Sequence, residues 1–300
     1  MLDFDLTPEQ NIVRRTIRDF AENEIAPRAR ELDKKEEFSV ELTKKMGAVL
    51  GVFGMFVPEK YGGAGMDYLS YIIAVEELAR VDGSKAATVA VANSLGIGPL
   101  YNFGSEEQKL EWLPKLCSGE GLAAFGLTEP NAGSDAQASQ THAELEDGEW
   151  IINGSKIFIT NASTPISALT TVQAVTGILQ DGKKELSCII VPNGTEGFTA
   201  NVMKDKMMWR GSNTSELYFD NVRVPEANLL GSRGDGFKQM LSTLDAGRLS
   251  IAAMGLGGAQ GAYEKALKYA NERCQFGVKI AKFQAVSFKL ADCAMMIEAA

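Results

Sequence analysis

Apolar positions along this chain change their spacing twice, and the two changes divide it into three zones. Up to about residue 120 the spacing is helical. LTPEQ (6–10) is a start signal, with Thr7 as N-cap, Pro8 at the first helical position and Gln10 placed to close a capping box. The run IVRRTIRDFAENEIA follows, with Ile12, Val13, Ile17, Phe20 and Ala21 on one face. VELTKKMGAVLGVFGM, DYLSYIIAVEELARV and SKAATVAVANSLGIGPLYNFG predict further helices. SEEQKLEWLPKL begins with Ser105 as cap and carboxylates in its first turn. From 121 to 235 alternation replaces helical spacing. In THAELEDGEWIINGSKIFIT the pairs DG (147–148) and NG (153–154) each sit between β-like runs and predict hairpin turns. ALTTVQAVTG, ELSCIIVPNG, FTANVMK and SELYFDNVRVP predict the remaining strands of a compact antiparallel barrel or sandwich. From 236 the helical pattern returns in GFKQMLSTLDAGRLSIAAMGLGGAQGAYEKALKYANER and FQAVSFKLADCAMMIEAA.

The predicted organisation is α+β and multidomain. An N-terminal helical domain covers 1–120, a middle antiparallel β domain covers 121–235, and 236–300 is the first part of a C-terminal helical bundle. The last stretch stops in mid-pattern, with no cap and no terminal glycine, so the chain is expected to be part of a longer one.

Charge and rare residues narrow the function. The formal net charge of −9 disfavours nucleic acid as a partner, because neutralising phosphates needs a basic excess. MLDFDLTPEQ has neither a basic nor an apolar leader region, and no window approaches 18 uninterrupted apolar residues. Neither signal peptide nor membrane span is expected. Cys117, Cys188, Cys274 and Cys293 match no zinc or redox spacing, which points to free thiols and a cytoplasmic protein. His142 is the single histidine, so a multi-histidine metal site cannot be built and a Ser-His-Asp triad would hang on this one residue. It stands in a polar alternating stretch that reads as an exposed strand. No metal site is predicted, and chemistry, if any, falls to a cofactor.

Several motifs fail as sites. GLGGAQG (255–261) has Gln260 where a dinucleotide loop needs its third glycine, and it lies in helical sequence, where close helix packing is the better reading. YGGAGMD and GSRGDGF also miss the spacing. Glu76 and Glu77 point about 100° apart on a helix. They share no face, and a solvated surface is the expectation.

The stretch FGLTEPNAGSDA (125–136) places a hydroxyl, two carboxylates, an amide and two glycines directly after an apolar run. Alone it is equally an ordinary strand end. Its neighbours decide: GLTEPNAGSDAQA, NGSKIFITN, ELYFDNVRVPEANLLG, GFKQMLSTLDAGR and ERCQFGVKIAKFQAVSFKLAD, with LTPEQ and PEKYGGAGMD upstream. In these segments and in their order the chain resembles the acyl-CoA dehydrogenases over its whole length, and the short-chain, butyryl-type members most.

The resemblance implies an FAD enzyme that oxidises acyl-CoA thioesters to the α,β-enoyl form and passes electrons to an electron-transfer flavoprotein. It implies that Phe125, Gly126, Leu127, Thr128, Gly133 and Ser134 line the flavin. Ser134 would also meet the acyl-CoA, and Pro130 and Gly133 would shape the turn. Phe158, Ile159 and Thr160 match a second flavin segment, with Phe158 shielding the ring; by itself Phe158 reads as a buried strand aromatic. Asp245 and Arg248 match acyl-CoA contacts, although they also read as a plain i, i+3 helix pair. Arg273 and Gln284 match FAD phosphate contacts supplied across a subunit interface, which implies a homodimer or homotetramer; alone they read as surface residues. The base for the α-proton is a glutamate that the short-chain branch places beyond residue 300. A few branches place it on the LDAGR helix, where this chain has Gly247. No catalytic residue is therefore predicted within the 300. SKAATVAVANSLG borders the acyl pocket in this family and carries no arginine, which favours a short neutral acyl group over a dicarboxylic one. An enoyl-CoA reductase, an oxidase on the same site, or an acyl-CoA or flavin binder without a base remain as alternatives.

Overall fold

The structure is a computed structural model that describes residues 4–300. Thr7 opens helix α1 (Pro8–Phe20) with the reciprocal capping box its sequence predicts: the Gln10 N–H donates to Thr7 Oγ1 at 3.2 Å, and the Thr7 N–H donates to Gln10 Oε1 at 3.0 Å. Ile17, Phe20 and Ala21 are buried on its inner face, but Ile12 lies off that face and is exposed. A π-helical turn leads into α2 (Ala26–Lys35), followed by α3 (Val40–Lys45), α4 (Tyr68–Val81), α5 (Gly83–Val91), α6 (Gly98–Phe103) and α7 (Glu106–Cys117). Asp67, Asp82 and Ser105 cap α4, α5 and α7 through their side chains.

The sheet follows. Its strands are β1 (Leu122–Gly126), β2 (His142–Glu146), β3 (Glu149–Thr160), β4 (Ser167–Ile178), β5 (Lys184–Pro192), β6 (Phe198–Val202), β7 (Thr214–Pro225) and β8 (Leu229–Leu230). Their order is β6-β7-β3-β2-β4-β5-β8, with β1 added alongside β4. Most pairs are antiparallel, as the hairpin signals predict; β1 and β2 instead pair with β4 in parallel, each separated from it by intervening chain rather than by a tight turn. Asp147 and Gly148 form the β2–β3 hairpin turn, both at positive φ. The second predicted turn is not one. Asn153 and Gly154 lie inside β3 at a register shift. A Cβ on Gly154 would stand 2.6 Å from Thr141 Oγ1, so glycine is needed for close strand contact, not for chain reversal. His142 is exposed on β2, as expected.

Helix α8 (Gly236–Glu272) packs along α4 and α5. GLGGAQG makes this approach possible: Cβ atoms on Gly257 and Gly261 would stand 2.1 and 2.0 Å from the carbonyl oxygens of Glu76 and Arg80. The glycines serve helix contact, as their helical context predicts. After α8 come a short hairpin (274–279) and α9 (Gln284–Ala299). Among the described residues no helix is long and apolar enough to cross a membrane.

The expectation for Glu77 is overturned. It is 1% exposed and accepts two hydrogen bonds from Arg18, Nε to Oε2 and a terminal nitrogen to Oε1, each 2.8 Å. Arg80 sits 3.5 Å away and pairs with Glu264 of α8 at 2.5 Å. Glu77 faces inward because α1 and α8 both cover this side of α4. Arg80 is three residues away on the same helix, but Arg18, which makes both hydrogen bonds, lies far off in sequence on α1, so adjacency to Glu76 carried no sign of its burial.

Candidate active site

Two cavities adjoin, one between the sheet and the helices and the other between α5, the π-helical turn that follows it, and α8. The smaller, about 140 Å³, is lined by Phe125, Leu127 and Thr128 after β1, by Phe158, Ile159 and Thr160 at the end of β3, and by Val91, Leu95 and Leu244. The larger, about 290 Å³, is lined by Ala90, Val91, Ser94, Leu95, Leu244, Gly247, Arg248, Ser250 and Ile251. Val91, Leu95 and Leu244 belong to both walls, so one apolar partition separates a polar-edged slot from an apolar pocket.

Local structure explains how each wall is held. Helix α5 passes into a π-helical turn, Ala92–Ile97, and Val91 and Leu95 flank its start. Asn93 anchors this turn. Its Nδ2 donates to the carbonyls of Val52 (2.8 Å) and Val89 (2.9 Å), and its Oδ1 accepts the N–H of Gly54 at 2.8 Å. Tyr71 Oη and Ser94 Oγ both donate to Ala90 O, at 2.9 and 2.7 Å. Tyr68 Oη donates across to Ala246 O of α8 at 3.0 Å, beside Gly247. A Cβ on Gly247 would stand 3.3 Å from Leu95 Cδ2, so a larger residue here would intrude on the pocket.

The sheet side is held by a bulge. The β3–β7 register shifts between Lys156 and Ile159, and Phe158 within that shift has φ +64°. This strained conformation turns the Phe158 ring outward, where it is 62% exposed and not the buried strand aromatic its position predicts. Thr128 gives its carbonyl to the N–H of Ile157 at 2.9 Å. Among the described residues the Thr128 hydroxyl, the Thr128 N–H and the Thr160 hydroxyl have no partner, so three donors edge the smaller cavity. After Thr128 the chain closes a tight turn in which Glu129 and Ala132 exchange N–H to carbonyl bonds at 3.0 and 3.2 Å.

Behind this wall lies a polar cluster that sequence reasoning did not find. Lys156 Nζ, fully buried, donates to Leu127 O (3.1 Å), Glu129 Oε1 (2.7 Å) and Ser139 Oγ (3.2 Å). The Glu129 carboxylate also accepts from Ser139 Oγ (2.5 Å) and from the N–H groups of Gln140 (2.7 Å) and Thr141 (3.0 Å). Burial alone would raise the Glu129 pKa. The Lys156 charge and these donors outweigh it and bring it down to about 2. The available signal was a lysine on the same alternating face of β3 as the apolar Trp150 and Ile152.

The predicted site residues separate into groups. Phe125, Leu127, Thr128, Phe158, Ile159 and Thr160 converge on the smaller cavity, with Gly126 buried in the strand between them. Arg248 lines the mouth of the larger, and it pairs with Asp245 at 3.5 Å as the i, i+3 reading expects, both side chains exposed. Gly133 and Ser134 are exposed beyond the turn. A Cβ on Gly133 would meet nothing within 4 Å, so nothing in this chain requires glycine there. Arg273 and Gln284 are exposed past the far end of α8, about 40 Å along the helix from Asp245 at 1.5 Å per residue. Within one chain they are not brought to the cavities. Among the described residues no Asp or Glu lines either cavity.

Comparison with known proteins gives this arrangement its relatives. Three domain models of one family match in order: "Acyl-CoA dehydrogenase, N-terminal domain" over residues 7–120, "middle domain" over 124–222 and "C-terminal domain" over 234–300. The chain is 52% identical over 299 residues to the probable acyl-CoA dehydrogenase YngJ of Bacillus subtilis, covering 100% of this chain and 78% of that protein. It is 44% identical to the short-chain specific acyl-CoA dehydrogenase of Clostridium acetobutylicum, again over 100% of this chain and 78% of that one. Among solved structures, butyryl-CoA dehydrogenase from Megasphaera elsdenii superposes with a TM-score of 0.94 at 44% identity, covering 99% of this chain and 78% of that one. A chain from the structure of the electron transferring flavoprotein of Acidaminococcus fermentans gives 0.95 at 45% identity, covering 99% and 77%. An acyl-CoA dehydrogenase complexed with FAD from Bacillus anthracis gives 0.91 at 36% identity, covering 99% and 50%.

Proposed function

This chain belongs to the acyl-CoA dehydrogenase family, an FAD enzyme class acting on acyl-CoA thioesters, and on that premise we propose that its substrates are short, neutral acyl-CoAs and its electron acceptor an electron-transfer flavoprotein. The observation that carries the substrate reading is the partition of Val91, Leu95 and Leu244 between the two cavities. It sets an apolar pocket beside a donor-edged slot, which is what a thioester reacting against a flat ring requires. At about 290 Å³ the pocket is at the small end of ligand sites. Among the described residues its one charged lining residue, Arg248, is already paired with Asp245 at the mouth, so the acyl end is offered no cation. The acceptor reading is supported by the likeness to the Acidaminococcus fermentans chain and by the short-chain relatives.

The residues present fit FAD. The unpartnered donors of Thr128 and Thr160 suit the polar edge of the ring, and the strained backbone of Phe158 holds an aromatic free to cover one face. FAD, when bound, supplies acceptance of the β-hydrogen as hydride. The chain's own residues do the rest. Phe125, Leu127 and Ile159 close the slot, and Leu95 and Leu244 keep water from its junction with the acyl pocket. Thr128 and neighbouring amides favour negative charge at the ring edge. Ser134, Asp245 and Arg248 face the rest of the CoA thioester. Arg273 and Gln284 reach the FAD of a second subunit, so the working unit is a homodimer or homotetramer. Their distance from the cavities of their own chain supports this. Because no carboxylate among the described residues lines either cavity, we assign the α-proton to a base that neither cavity wall supplies. We retain the division at 120/121 and 235/236, and we place the protein in the cytoplasm on its four free thiols.

A substrate panel tests the reading. With the electron-transfer flavoprotein as acceptor, kcat/KM is expected to be highest for butyryl-CoA and to fall by about tenfold or more for octanoyl- and glutaryl-CoA. A preference for glutaryl-CoA refutes the neutral-chain assignment.

A further inference from the structure

We propose that Lys156 is a positioning residue for the flavin: its buried ammonium group clamps the chain on both sides of Thr128 and so aims the Thr128 donors into the slot. The proposal rests on the reading that residues 125–128 and 158–160 face the ring.

The geometry is specific to Thr128. Lys156 Nζ holds the carbonyl of the preceding residue, Leu127, at 3.1 Å and the carboxylate of the following residue, Glu129, at 2.7 Å. Thr128's own carbonyl is taken by Ile157, the residue after Lys156, at 2.9 Å. Three consecutive residues of the loop are thus tied to two consecutive residues of β3. The tie acts on the second wall as well, because Lys156 begins the register shift that contains Phe158. One side chain therefore fixes both flavin-facing segments relative to each other.

The site for this lysine is built. Lys156 stands opposite Leu217 on β7, inside the sheet. Gly126 packs against its stem, since a Cβ there would lie in ordinary contact with Lys156 Cγ at 3.5 Å, the tighter approach being to Thr170 Cγ2 at 3.3 Å. Ser139 donates to Glu129 and accepts from Lys156, closing the cluster. The carboxylate needs all of these donors because it is 5% exposed. A buried ion pair is seldom a net source of stability compared with apolar packing. This one holds a loop whose Thr128 donors have no partner among the described residues, and that is a task apolar packing performs poorly, because it does not orient a carbonyl.

Four variants of the FAD-loaded enzyme test the idea: Lys156→Met, Glu129→Gln, the double variant and Thr128→Ala. The readouts are the FAD dissociation constant, the flavin midpoint potential and the Tm. Lys156→Met is expected to weaken FAD binding by about tenfold or more, as freeing the loop costs more than one hydrogen bond. It is also expected to lower the potential, because an uncompensated carboxylate disfavours negative charge on the reduced ring. Glu129→Gln leaves the cation and should raise it. The double variant should regain Tm, since no buried charge remains, but not FAD affinity, since Leu127 O stays untied. If Lys156→Met lowers Tm yet leaves affinity and potential unchanged, or if the double variant recovers affinity as well, the positioning role is refuted. Thr128→Ala separates the two layers. A changed FAD affinity there with none in Lys156→Met sinks only the Lys156 proposal, whereas no change in either sinks the reading of the loop. Should Lys156→Met not fold, Ser139→Ala keeps the ion pair and loosens the cluster. A twofold to fivefold loss of FAD affinity, about the worth of one hydrogen bond, is then expected, and none overturns the proposal.

Discussion

Lys156 and Lys85 both place an ammonium group where water does not reach, one behind the wall formed by residues 125–128 and the other in the first turn of α5, and their surroundings differ in the partners that set the cost. Lys156 has three acceptors and a carboxylate at 2.7 Å. Lys85 Nζ has no hydrogen-bond partner among the described residues and lies 4.8 Å over the ring of Phe38. Burial lowers the Lys85 pKa to about 8, with the Asp82 and Glu37 charges opposing only part of the effect. The difference teaches that burial by itself says nothing about the role of a charge. What matters is whether its neighbours are built to receive it. The Lys156 region is built in this way and the Lys85 region is not.

The comparison can be broken by substitution. The largest effect is expected for Lys156→Met, which leaves Glu129 buried without its cation and should cost about 3–5 kcal/mol in denaturant unfolding. Lys85→Met should act in the opposite direction and raise stability at pH 7 by about 1–3 kcal/mol, because a desolvation cost is removed and no bond is lost. If Lys85→Met destabilises, the amine has a partner and the contrast fails.

Titration sharpens the same contrast with smaller effects. Between about pH 8 and pH 10.4 unfolded Lys85 binds a proton that folded Lys85 has lost, so its contribution to stability rises with pH across that window. Wild type should gain relative to Lys85→Met there, by urea midpoints measured at both ends. On the acid side Glu129, held at about 2, contributes stability that is complete above its unfolded pKa near 4.3 and is lost as the pH falls toward 2. Glu129→Gln should flatten that limb. The smallest test is chemical. Burial pushes the Cys188 and Cys117 thiols up to about 12, so under native conditions iodoacetamide should label only Cys274 and Cys293. Fast labelling of Cys188 would show that the packing around it opens.

Much of the fold could be read locally. The capping box at Thr7 and Gln10, the Asp147–Gly148 turn and the helical setting of GLGGAQG each depend on a few neighbouring residues, and each is found as predicted. The family and FAD were legible in GLTEPNAGSDAQA and the segments after it, and the domain matches agree. What could not be read depended on contacts across long stretches of chain. Asn153–Gly154 looks like a hairpin turn until Thr141 is known to lie against it. Glu77 looks solvated until Arg18, on another helix, is placed 2.8 Å away. Phe158 looks like a buried strand residue until the β3–β7 register shift turns it outward.

By itself, then, the sequence determined the order of helical and β zones, the Thr7 and Ser105 caps, the Asp147–Gly148 turn, the family and its cofactor, because periodicity, capping and motif are written in adjacent positions. Only the tertiary structure decided that Val91, Leu95 and Leu244 form one partition between two cavities, and that Lys156 rather than any residue of the signature loop ties Leu127 and Glu129 together. Both are meetings of elements tens to more than a hundred residues apart. The burial that makes them matter, by stripping water from a charge or an apolar wall, exists only once the sheet and helices have closed on each other.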